Sequence, residues 1–122
     1  MRSTALLILS LLTGCGSTLT GQWEGTCQVL VGTTPVNYEV ELDISQVVDG
    51  DVDGDAEVVD IDAQNVLRKG DIDGTQDGKV VVIDVALPEG SFILEGELSG
   101  STMDGDCEWQ AQKGDFELDK VE

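Results

Sequence analysis

The stretch "GDVDGDAEVVD", residues 50–60, admits two readings, and the choice between them decides the fold. Counted from Asp49, carboxylates fall at Asp49, Asp51, Asp53, Asp55, Glu57 and Asp60, with Gly54 at the sixth place. That spacing is close to the D-x-D-x-D-G pattern of an EF-hand loop and makes Asp49, Asp51, Asp53 and Asp55 candidate calcium ligands. Counted by twos, the same residues form a strand that carries Asp51, Asp53, Asp55 and Glu57 along one wet face.

The surrounding sequence favours the strand. In "NYEVELDIS" (37–45), Tyr38, Val40, Leu42 and Ile44 oppose Glu39, Glu41 and Asp43. "SFILEGELSG" (91–100), "TMDGDCEWQA" (102–111) and "GDFELDK" (114–120) alternate in the same way. A period of two with one apolar face is the mark of antiparallel strands solvated on one side. A module of glycine, any residue, apolar, any residue, glycine recurs at 21–25, 50–54, 70–74 and 96–100. Only the second copy has the calcium-like acids, so the shared feature is strand geometry, with inward glycines letting strands bend and approach. An EF-hand also needs flanking helices, and no segment carries a 3.6-residue period.

Turn signals divide the chain at "VGTTPV" (31–36), "VDGD" (48–51), "DAQN" (62–65), "QDGK" (76–79), "LPEGS" (87–91), "SGST" (99–102) and "QKGD" (112–115). Glycine, proline, asparagine and aspartate supply the backbone angles tight turns require. Eight short antiparallel segments in series, each apolar on one face, predict an eight-stranded up-and-down barrel, whose closure removes exposed edges. A two-sheet sandwich is the alternative. The expected inward set is Trp23, Val29, Tyr38, Val40, Leu42, Ile44, Val52, Val58, Ile72, Val81, Ile83, Val85, Phe92, Leu94, Leu98, Met103, Trp109, Phe116 and Leu118. With Gly21-Gln22-Trp23 in the first strand and a meander over nearly all of residues 20–122, the chain resembles the calycin-like barrels, lipocalins and avidins among them.

The first residues have a different character. "MRSTALLILSLLTGC" places one Arg before an apolar run too short to span a bilayer as a helix, which reads as a secretory signal over residues 1–14. Leu12-Thr13-Gly14-Cys15 resembles the lipobox of bacterial lipoproteins. The resemblance implies cleavage before Cys15, a diacylglycerol thioether on its sulfur, and a short tether at 15–20 leading into one domain at 21–122. Gly16 resembles the residue found in lipoproteins sent to an outer membrane, the expected location in a Gram-negative source. An exported chain meets oxidising conditions, which makes the remaining thiols, Cys27 and Cys107, natural disulfide partners. With both facing inward on the first and seventh strands, they are expected about 9.5 Å apart across an intervening strand. That distance requires the barrel to be flattened, open or displaced there.

Charge and composition narrow the function. The chain carries 25 acidic residues against 6 basic, a net charge of −19, which opposes nucleic acid and anionic lipid headgroups. It contains no histidine, which removes the usual general base and the Ser-His and Cys-His pairs. The carboxylates lie on the wet face, so no enzyme and no cofactor are expected. A ligand pocket needs a few converging polar groups, and the interior offers little beyond Trp23, Tyr38, Trp109 and Gln46, so a packed core is the favoured expectation. Arg68 and Lys69 are expected on opposite faces of a solvated strand end. These readings point to a membrane-tethered interaction or structural barrel in the cell envelope. The alternatives are a barrel holding a small apolar ligand and, more remotely, a periplasmic protease inhibitor.

Overall fold

In a computed structural model, which describes residues 19–61 and 66–121, the chain is all-β and without helix among those residues. The expected signal segment, Cys15 and the turn expected at 62–65 lie outside the described residues. The strands are β1 (Gly21–Val31), β2 (Thr34–Val48), β3 (Asp51–Asp60), β4 (Val66–Asp77), β5 (Val80–Leu87), β6 (Gly90–Ser99), β7 (Thr102–Trp109) and β8 (Gln112–Val121). Each pairs antiparallel with the next, and β8 pairs back onto β1, closing the barrel. The stretch that opened the question is β3, with Asp51, Asp53 and Asp55 exposed and Val52 and Val58 buried.

Every residue of the expected inward set is buried. Leu19, Cys27, Ala56, Leu87 and Cys107 join them, making one continuous core. An eight-stranded barrel has an interior just wide enough to be filled by side chains, and this one is filled. Gln46 departs from expectation. A β-bulge between Ile44 and Gln46 shifts the register of β2, so Gln46 is exposed and Val47 turns inward against Val52.

The last turn also lies elsewhere than expected. The chain reverses at Gln110–Ala111, whose φ values of 52° and 67° suit a mirror-image hairpin turn, and "QKGD" (112–115) runs inside β8. Gly114 is therefore a strand residue, and its position explains the disulfide. Cys27 and Cys107 are bonded with their Cα atoms 6.3 Å apart, although β8 runs between β1 and β7. The barrel is neither open nor displaced at that level, since Gly114 pairs with both Val29 and Cys107. Instead it is pinched. A Cβ at position 114 would sit 1.7 Å from the Gln28 carbonyl oxygen, so only a residue without a side chain lets β1 and β8 close this tightly. Gly54 plays the same part on β3, where a Cβ would lie 2.1 Å from the Asp43 carbonyl oxygen. The glycine modules thus mark close backbone approach, while Gly50 and Gly100 take positive φ in turns.

Candidate functional site

An up-and-down meander gives the barrel two unlike ends. The near end holds the start of β1 and the turns at 49–50, 78–79 and 100–101; the far end holds the turns at 32–33, 88–89 and 110–111. Trp23 closes the near end. Its indole Nε1–H donates to the Leu19 carbonyl at 2.9 Å, folding Leu19 into the core just before β1 begins. Lys120, opposite Trp23 in the register, lies with its ammonium 5.7 Å from the centre of that ring.

Trp109 closes the far end. Phe92 packs at 5.8 Å from its ring and at 6.0 Å, edge-on, from Tyr38, so three aromatics form one line. The Arg68 guanidinium sits 5.5 Å over Trp109, and its Nε donates to Glu89 Oε1 at 3.1 Å. Each end of the barrel is therefore stoppered by a tryptophan with a cation against its face.

Of the candidate ligand residues, Tyr38 and Trp109 share one end with Phe92 between them, and Trp23 is held at the opposite end. Arg68 is not solvated as expected. It shares strand parity with Ile72, points inward, and its Nη1 is buried without a hydrogen-bond partner. Lys69 on the other face is exposed, 3.8 Å from Glu57. Asp60 also turns inward and is buried, opposite Tyr38 in the register. Parity along β3 and β4 carries both placements in the sequence: residue 60 matches Val58 and residue 68 matches Ile72.

The candidate metal ligands lie in line and do not converge. Asp51, Asp53 and Asp55 follow one another along the outer face of β3, and Asp49 stands in the turn before it. Among the described residues no group of three or more carboxylate or thiol side chains is placed to hold a metal ion. What the acids form is a set of rungs. Asp119, Glu24, Glu41 and Glu57 are directly opposite one another across β8, β1, β2 and β3. Glu95, Asp106 and Asp115 do the same across β6, β7 and β8. Like charges directly opposite on neighbouring strands destabilise the pair, by a few tenths to 1 kcal/mol on the scale of such contacts.

That arrangement predicts a strong salt response. Debye lengths fall from about 30 Å at 0.01 M to about 3 Å at 1 M, so salt relieves the rungs. Several relieved pairs are worth a rise in melting temperature of about 10 °C across that range. Millimolar calcium at matched ionic strength adds only a modest further gain. Melting curves in NaCl with and without CaCl₂ check this, and a flat response removes the rungs as an energetic factor. A stoichiometric micromolar calcium isotherm lost in Asp51→Asn and Asp53→Asn would restore a true site.

The fold and its ends define a closed, solid, eight-stranded up-and-down barrel with an acidic wall. The chain matches no protein-family model, no curated protein and no solved structure at a significant level.

Proposed function

We propose that this chain is a cell-envelope lipoprotein, a calycin-like acidic barrel tethered to a membrane and acting as a non-enzymatic interaction or structural module. The observation that carries this reading is the solidity of the barrel. Its interior is occupied by its own side chains, both ends are stoppered, and the clefts bounded by Gln22 and Asp55, by Ile93 and Asp115, and by Lys69 and Ala86 indent the outer wall. A body of that kind works through its surface. The tether fits as well: Leu19 is fixed at the near end, and four residues of chain from Cys15 span at most about 14 Å. Lipid on Cys15 would hold the near end at the bilayer and turn the far end outward, in an outer membrane if the source is Gram-negative.

A second reading, a small-molecule site, draws on the unpartnered Arg68 Nη1 beside Trp109, since a buried donor without an acceptor costs about 1–3 kcal/mol. One experiment separates the two. Intact-mass analysis of the protein from membranes is expected to show the chain from Cys15 with diacylglycerol on it and no further bound molecule. Cys15→Ser is expected to leave a species that no longer enters the detergent phase. A variant that stays membrane-bound overturns the tether, and a stoichiometric copurifying molecule overturns the solid module.

A further inference from the structure

The two tryptophans that close the barrel are not held alike. Both ladders of Trp23 continue past it, with Gln22 opposite Asp43 and Val121, and its indole N–H is bonded to the Leu19 carbonyl at 2.9 Å. Trp109 stands on the last rung of both of its ladders, opposite Phe92 on β6 and Gln112 on β8. Its ring is held by side chains, with Phe92 beside it and the Arg68 guanidinium over it.

Three unfavourable features meet at this end. Gln110 and Ala111 both take left-handed backbone, with φ of 52° and 67°. Neither has the freedom of glycine or the local hydrogen bonding that lets asparagine and aspartate go there. At the other described turns the left-handed positions are filled by glycine or, at Asp49, by aspartate. The third feature is Arg68 Nη1, buried without a hydrogen-bond partner. β4 pairs with β5 only from Asp71 onward, and beyond that level Arg68 reaches the β5–β6 turn through Glu89.

One movement relieves all three. When the Trp109–Gln112 rung unzips, Gln110 and Ala111 return to ordinary backbone angles, and withdrawal of the ring admits water to the guanidinium. What opposes the movement is the burial of one ring and the bonds of one terminal rung. Strained backbone held in place by its surroundings is the mark of a switch, and strand ends are where local opening is easiest.

We propose that the β7–β8 tip is a gate. Trp109 and the Gln110–Ala111 turn swing out together and uncover Phe92, while Trp23 keeps the near end shut. The barrel is solid when closed and has a second state in which an aromatic floor is reachable from outside. This goes beyond the interaction-module reading and does not depend on it.

Native-state hydrogen exchange and NMR relaxation on the full chain test the gate. The Asp49–Gly50 turn, also left-handed at both positions and flanked by the Val48–Asp51 rung, is the internal control. The backbone amides of Trp109 and Gln112 are expected to be about tenfold less protected than those of Val48 and Asp51. The Trp109 indole and the Phe92 ring are expected to share one exchange rate, with the Trp23 indole at rest. Gln110→Asn with Ala111→Gly removes the strain and keeps the stopper. It is expected to raise protection at Trp109 and Gln112 by about tenfold and to leave Val48 and Asp51 unchanged. Equal protection at the two turns, or no response to the double substitution, overturns the gate. Motion confined to residues 110 and 111, with the Trp109 ring at rest, overturns it as well and leaves only a strained turn. None of these failures touches the interaction module, which the intact-mass measurement tests separately.

Discussion

Replacing Cys27 and Cys107 together by serine is expected to lower the melting temperature of the chain by about 10–30 °C. The bond closes a loop of 80 residues in sequence separation, nearly the whole domain. The chain-entropy model assigns such a loop about 4–5 kcal/mol, and removal of native disulfides from small domains costs about 2–5 kcal/mol. For a domain of this size each kcal/mol moves the midpoint by about 4–8 °C. Calorimetry of the double variant against the parent reads the shift directly. Thiol labelling of the unfolded, unreduced chain supplies the second measurement, with neither cysteine expected to react. A shift below about 5 °C, or two reactive thiols at these positions, would mean that the bond does not close this loop.

Gly114→Ala is expected to be nearly as severe, at about 3 kcal/mol or more. Overpacking costs about 1–3 kcal/mol where side chains can give way. Here the new methyl would meet backbone, the Gln28 carbonyl group and the Val29 Cα, in strands held by pairing on both sides. Gly32→Ala provides the comparison. A Cβ there meets nothing within 4 Å, and the cost is confined to its positive φ of 68°, about 1 kcal/mol. Urea melts of the two variants separate close approach from turn conformation. Equal losses at the two positions would show that position 114 is not pinched.

Those two residues also show how far the chain can be read without coordinates. Alternation located the strands because one face of each is in the core and the other in water, a difference that sequence records at every second residue. It placed Trp23, Tyr38 and Trp109 inside correctly, yet gave no means of telling which of them share an end, since that depends on how far each lies along its strand. Glycine serves both turns and close approaches, so "QKGD" reads as a turn although Gly114 lies within β8. The actual turn, Gln110–Ala111, lacks the residues that usually announce one. The bulge at Ser45 leaves no mark in the sequence, so the parity that holds through Ile44 points to Gln46, where the structure turns Val47 inward. Arg68 departs for another reason: a basic residue at a strand end is expected in water, whereas Arg68 follows the inward parity of Ile72. The inference of a signal segment and lipid on Cys15 draws on residues 1–15 alone and stands apart from the barrel.

The cross-link between β1 and β7 has a mechanical consequence. A pull on the chain ahead of Leu19 enters the barrel along β1, parallel to the strand, and loads its ladders to β2 and β8 side by side in shear. Should β1 yield, the chain pays out only from Leu19 to Cys27, eight residues or at most about 29 Å. Beyond that point tension crosses the sulfur bridge to Cys107 and bypasses the residues between. Once the bridge carries the tension, the sequence from β2 through β6 therefore lies outside the load path.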